Sequence, residues 1–254
     1  MAKTYDELCS IERELLSHVQ EVATGLCEKQ GSVDHALTYY LRLIECFESC
    51  IVLMENKSYA GIPVISRGLL EGFADLVNII NNPKHIKKLY ASGYCEKRKA
   101  INAVTNNLKN FVDKETIGAL AKDKPFIERK ILEHYPCEDK VKKCCSKVQG
   151  IFSKFDNIAV KAELANDYSG LYGVLCSYAH NNPLSVEEIH IEVIDNNVRH
   201  KLFDYDDNEF LHSIEMYLPT FTRATLKFFE HRSIKTEFVL AIFKKFEEAT
   251  SSET

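Results

Sequence analysis

Apolar residues recur at three- and four-residue steps along most of the chain, and that period leaves helices as the elements most of it can form. From Tyr5 to Cys27 the line is Leu8, Ile11, Leu15, Val19, Val22 and Leu26. Gly31 and Ser32 interrupt it. Asp34 stands where a carboxylate can cap a second helix, which carries Leu37, Leu41, Ile44, Phe47, Ile51 and Met54. A third helix is expected from about Ser58, with Pro63 tolerated in its first turn and Ile65, Leu69, Phe73, Leu76 and Ile80 on its apolar line. Gly61, Gly68 and Gly72 fall in this stretch. Each weakens a helix by about 1 kcal/mol relative to alanine, so close approach of a neighbour is the expected compensation. Asn81-Asn82-Pro83 ends the helix, and Pro83 suits the first turn of a fourth that reaches about Asn107.

The next stretch reads less regularly. Short helical pieces fit Lys114 to Ala121, Phe126 to Glu133 and Asp139 to Val148, in a lysine-bearing excursion over residues 114–155. A long helix fits Val160 to His180, closed by Asn181-Asn182-Pro183. Then the period changes to two. Ile189, Ile191 and Val193 alternate with His190 and Glu192, Asn196-Asn197 makes a two-residue turn, and the strand after it runs to Phe203. That turn sets Glu192 opposite Lys201 and Ile191 opposite Leu202. Two helices, about Asp207 to Glu230 and Ile234 to Glu248, finish the chain. No internal repeat and no Gly-, Pro- or Ser-rich linker divides it. The expected fold is all-α: one helical domain over residues 1–254, an antiparallel bundle with a β-hairpin inserted near residues 188–204.

Composition bounds the function. Hydrophobic residues make up 45% of the chain and charged ones 27%, so a packed globular core is affordable and disorder is excluded as the main state. The net charge of −5 does not advertise a broad phosphate-binding surface. The run Lys140, Lys142, Lys143, Lys147, Lys154 reads as a solvated face in preference to a nucleic-acid contact. No uncharged apolar run approaches the ~18 residues of a membrane span, so no membrane partner is expected. Met1 to Leu8 carries Lys3, Asp6 and Glu7 and no apolar leader core. Nine cysteines, an odd number, then point to a reduced, cytoplasmic protein. No Cys-x-x-Cys occurs, and Cys46 and Cys50, four apart, read as small buried residues, so no metal site is expected. Phosphate-loop and dinucleotide-binding glycine motifs are absent, and no cofactor is expected.

Two constellations can carry chemistry. Arg67 and Glu71 are four apart on the third helix, with Asp75 continuing the row. The plain reading is a helix-surface ion pair; the functional one is an arginine held by Glu71 so that its fork faces a phosphate. In Tyr172-Gly-Val-Leu-Cys176-Ser177-Tyr178-Ala-His180-Asn181, the residues Tyr172, Cys176 and His180 share a helical line. His180 closes the helix, where the macrodipole favours the protonated imidazole. It reads either as a capping histidine or as a general acid or base oriented by Ser177 or Tyr178.

The Arg67-x-x-x-Glu71 helix and the Tyr172…Ser177-x-x-His180 helix end resemble a large family of bacterial helical proteins known only as a domain of unknown function. The likeness covers about residues 35 to 205. More distantly the chain is similar to HEPN domains, helical modules that include metal-independent ribonucleases with an Arg four to six residues before a His. Arg13 with His18 and Arg129 with His134 have that spacing, and His180 has no arginine so placed. The HEPN likeness implies an RNA-processing or defence-associated protein; the site expected here is a split one across two helices, a departure from the HEPN pattern, with Arg67, Glu71 and His180 catalytic and Tyr172, Ser177 and Asn181 binding substrate. RNA is then the partner. The alternative is a non-catalytic module that uses a helical face to form a homodimer or bind another protein.

Overall fold

A computed structural model describes residues 5–28, 31–107, 111–136, 141–148, 152–155, 158–180, 182–195, 197–200 and 207–250. Among them the chain is helical apart from one hairpin: α1 (Tyr5–Cys27), α2 (His35–Glu55), a 3₁₀ turn (Tyr59–Gly61), α3 (Ile62–Asn81), α4 (His85–Asn107), α5 (Lys114–His134), α6 (Val141–Val148), α7 (Phe152–Phe155), α8 (Ile158–Ser169), α9 (Leu171–Ala179), α10 (Pro183–His190), β1 (Ile191–Ile194), β2 (Asn197–His200), α11 (Asp207–His231) and α12 (Glu237–Thr250). The expected all-α bundle is the architecture found. Two compact units divide the chain, one of residues 1–80 with 160–254 and one of residues 81–159.

The first unit is built on the antiparallel pair α2 and α11. Tyr40 stacks on Phe228 at 4.1 Å between ring centroids, and Phe47 stacks on Phe221 at 3.9 Å. Both pairs are seven residues apart on each helix, about two turns, which keeps the four rings on the facing sides. All four are completely buried. The Tyr40 hydroxyl bonds to Thr225 Oγ1 at 3.2 Å, so its one polar atom has a partner. Asp34 caps α2 as its position implies, accepting from the Leu37 amide at 3.1 Å, and its other oxygen pairs with Arg232 at the far end of α11. α1 packs on α2 and α12, and Leu8, Leu15, Leu16 and Val19 are among its buried residues. Pro219 lies inside α11 without ending it.

Gly61, which ends the 3₁₀ turn, and Gly68 and Gly72 of α3 divide by their surroundings. A Cβ on Gly72 would stand 2.7 Å from Leu43 Cδ2, and one on Gly61 would stand 3.0 Å from Leu53 Cδ1. These two meet a neighbour closely, as expected. Gly68 does not, since nothing lies within 4 Å of its Cβ position. Gly68→Ala should therefore stabilise the protein by about 0.5–1 kcal/mol through helix propensity. Gly72→Ala should lose that gain, because Leu43 is fully buried and must shift. Urea denaturation midpoints of the two variants check this; an equal rise in both would remove Leu43 as a constraint.

The second unit folds the expected excursion into regular structure. Lys114 to Ala121 and Phe126 to Glu133 are parts of one helix, α5, which carries Pro125 inside it. Asp113 caps it, accepting from the Thr116 amide at 2.8 Å. α4 and α5 pack on each other and on α6 around Cys95, Ile101, Ile127, Ile131 and Cys145. Cys95 and Cys145 form a disulfide across a Cα separation of 5.5 Å, where the cysteine count points to a reduced chain. The two are 50 residues apart in sequence, with none of the close spacing that marks a pair in advance.

Two further readings change. The long helix expected from Val160 to His180 is two, α8 and α9, separated at Gly170. The segment after it opens with a helix, α10, starting at Pro183, a position where the missing amide hydrogen costs nothing. The hairpin then pairs Ile191 with His200, Glu192 with Arg199 and Val193 with Val198, two residues out of the expected register. Ile194 pairs with Asn197, so the turn begins at Asp195, whose φ of 50° is the left-handed value such a turn needs. A shift of two leaves every side chain on its expected face, which is why alternation alone did not distinguish the registers. Asn196 and the stretch Lys201 to Phe203 lie outside the described residues.

Candidate functional site

Helices α3 and α9, both in the first unit, bring their polar residues to one place. Arg67 sits in the second turn of α3, one turn before Glu71. Its Nε donates to Glu71 Oε1 at 3.0 Å, and both side chains are about three-quarters covered, at 23% and 25% exposure. The bond uses one edge of the guanidinium. On the other, Nη1 lies 3.1 Å from Nε2 of His180, 113 residues on. From α9, Tyr172 donates its hydroxyl to the same Glu71 oxygen at 3.1 Å. The Arg67 Cζ stands 5.6 Å from the centre of the Tyr172 ring, within cation–π range. Tyr168, at the end of α8, stacks on Tyr172 at 5.4 Å.

Each residue has a local reason for its place. Leu69, Leu70 and Phe73 bury the other side of α3, which leaves the 67–71 row at the margin of the core. Tyr172 and Leu175 are the buried residues of α9, and Tyr172 carries its hydroxyl out to Glu71. His180 is the C-cap of α9: its amide hydrogen-bonds to the Cys176 carbonyl at 3.0 Å, so the backbone fixes the origin of an exposed side chain.

The electrostatics follow from these contacts. Burial alone would lower the Arg67 guanidinium; the bond to Glu71 and the neighbouring Tyr172 and Cys176 outweigh it and raise it above its ordinary value. Burial, then Cys176 and Glu71, hold the Tyr172 phenol well above the usual tyrosine range. An arginine N–H only donates, so its contact requires Nε2 of His180 to be an acceptor, which is the neutral imidazole with its proton on Nδ1.

Thus Arg67, Glu71, Tyr172 and His180 come together. Ser177 does not join them; its hydroxyl turns back to the Gly173 carbonyl at 3.3 Å. Asn181 lies outside the described residues. The two close Arg–His spacings do not form comparable pairs. Arg13 is held by both oxygens of Glu55, while His18 packs between Phe229 and Phe238. Arg129 lies over Phe126, and His134 stacks on Tyr90 and Tyr94. Sequence reasoning passed over Tyr168, although it precedes Tyr172 by the same four-residue step that links Tyr172, Cys176 and His180. Among the described residues no three His, Cys, Asp or Glu converge as metal ligands, and no helix is long and apolar enough to cross a membrane.

The model of a family of unknown function (DUF5677) matches residues 33–198, a span that contains all four of the clustered residues. No curated protein and no solved structure matches the chain.

Proposed function

The chain belongs to the DUF5677 family, whose function is unknown, and from the site itself we propose a HEPN-like, metal-independent ribonuclease. The observation that supports this reading is the 3.1 Å contact between Arg67 and His180, with Arg67 braced from behind by Glu71. A cation with a fixed orientation beside a neutral imidazole is a pairing suited to phosphodiester transfer.

In this reading a phosphate of the RNA takes the place of His180 on Arg67 Nη1, as the stronger acceptor. His180 Nε2 is then free to accept the proton of the adjacent ribose 2′-hydroxyl. The 2′-oxygen bonds to phosphorus as its proton passes to His180, the bond from phosphorus to the 5′-oxygen breaks, that oxygen takes a proton from water, and the imidazolium then returns its own proton to the solvent. The products are a 2′,3′-cyclic phosphate and a 5′-hydroxyl. Arg67 offsets the charge that builds on the phosphoryl oxygens, and Glu71 keeps the guanidinium aligned. Tyr172 positions Glu71 through its hydroxyl.

Labelled RNA incubated with the purified full chain in EDTA tests the reading. Cleavage by the wild type should be lost in His180→Ala and Arg67→Ala, and Arg67→Lys should not restore it, since an ammonium lacks the fork. Undiminished cleavage by His180→Ala, or no cleavage by the wild type of any RNA tried, would overturn it. A dimer or a captured protein partner without cleavage would favour the interaction module instead.

A further inference from the structure

The net charge of −5 conceals a division of charge along the chain. Residues 81–159, the second compact unit, hold seventeen Lys and Arg against nine Asp and Glu, a net of +8. The remaining residues hold fifteen against twenty-eight, a net of −13. Seventy-nine residues with an excess of eight positive charges attract polyanions whatever the chain as a whole carries.

The cations are interleaved with rings. On α4, Lys87, Tyr90, Tyr94 and Lys97 follow at steps of three, four and three, and so share one side of the helix. On α5, Phe126, Lys130 and His134 follow at steps of four and form a second stripe. His134 ties the stripes together: its ring stacks on Tyr90 at 5.1 Å and on Tyr94 at 5.8 Å. Tyr90 is still 44% exposed and Phe126 48%. Arg129 Cζ lies 5.5 Å from the Phe126 ring centre, and Lys130 Nζ lies 5.9 Å from it. Lys87 and Lys97 are exposed and enter no ion pair among the described residues. Core packing does not account for half-exposed aromatic rings, and a helix kept soluble by lysine does not need them.

We propose that the α4–α5 face of the second unit is a binding surface for single-stranded RNA, with phosphates on Lys87, Lys97 and Arg129 and bases stacked on the Tyr90–His134 and Phe126 rings. Flat rings beside cations suit unpaired bases, whose faces are available; a paired duplex offers phosphates but no free base face. An anionic membrane would engage the charges and leave the stacked geometry without use. The choice of RNA over other polyanions rests on the ribonuclease reading; the surface itself does not.

The test uses the full chain and a fluorescent 2′-O-methyl oligouridylate of about twelve residues, a length within the range single-strand sites cover. This probe has no 2′-hydroxyl and stays intact whatever the chain does to RNA. Anisotropy should show binding that weakens with salt. Lys87→Gln with Lys97→Gln should reduce the slope of log affinity against log salt by about 1.4, the value for two phosphate contacts on a single strand. Tyr90→Ala should weaken binding at least about fivefold, and Tyr90→Phe should not. Circular dichroism confirms that each variant is folded, and the lysine pair decides if Tyr90→Ala is not. Absence of binding, equal binding by all variants, or binding to phosphatidylserine vesicles with the oligonucleotide ignored would overturn the proposal. Binding of this probe with no cleavage of ordinary RNA would refute the ribonuclease alone; cleavage with no such binding would refute this surface alone.

Discussion

Phe47→Ala is expected to lower the stability of the first unit by about 3–5 kcal/mol. Phe47 is completely buried, face to face with Phe221 at 3.9 Å and tilted against Tyr217 at 5.9 Å. Truncation removes the buried ring, opens a cavity between two helices that cannot close without moving, and ends a stacked pair worth about 0.5–1.5 kcal/mol beyond its burial. A domain of ordinary stability has only about 5–15 kcal/mol in total, so the variant should lose a large part of its margin. Phe47→Leu, which keeps most of the volume and loses the stack, should fall between. Denaturant unfolding followed by circular dichroism measures both. A loss below about 1 kcal/mol for the alanine variant would mean that α2 and α11 do not pack as described.

The second large effect concerns Glu12, a carboxyl with no exposure at all in the α1 face of the same core. Its Oε1 accepts the Tyr217 hydroxyl at 2.5 Å, and Oε2 has no hydrogen-bond partner among the described residues. Burial pushes its pKa up to about 8, against the opposing effect of the Tyr217 bond. The folded protein therefore holds this proton at neutral pH, whereas the unfolded chain releases it in the usual carboxylate range. Between that range and about pH 8 the folded state binds more protons, so the contribution of Glu12 to stability falls as pH rises, by about 1.4 kcal/mol per pH unit. Above pH 8 both states are ionised and the loss is complete. Glu12→Gln keeps an acceptor for Tyr217 without a charge. It should match the wild type near pH 5, remain level as pH rises, and be the more stable protein at pH 8 and above. Parallel profiles for the two proteins between pH 5 and 9 would show that Glu12 is not buried as a neutral acid.

Helix periodicity carried most of the architecture because it is a local signal. Asp34 caps α2 where a cap was expected, and the apolar lines of α1, α2 and α3 supply the core residues Leu15, Phe47 and Phe73. Features that depend on distant partners were not legible. Nothing near Cys95 announces Cys145, and nothing near Gly170 announces that α8 and α9 part there. At the site, Arg67 with Glu71 follows from spacing, but the contact with His180 depends on how α3 and α9 meet. Ser177 stands apart from the cluster for a local reason: a serine inside a helix can satisfy itself on the carbonyl four residues back. The charge of residues 81–159 was hidden by averaging over a chain whose two parts have opposite sign.

The pairing of α2 with α11 sets an order on synthesis. Tyr40 waits for Phe228 and Phe47 for Phe221, so the N-terminal helices leave the ribosome long before the residues that cover them exist. The inserted unit, residues 81–159, is compact within one continuous stretch and can close first, since short loops cost less entropy to close than long ones. A nascent chain stopped before residue 207 would therefore hold a finished insert between unfinished ends, with the rings of α2 bare to whatever chaperone or aggregate meets them first.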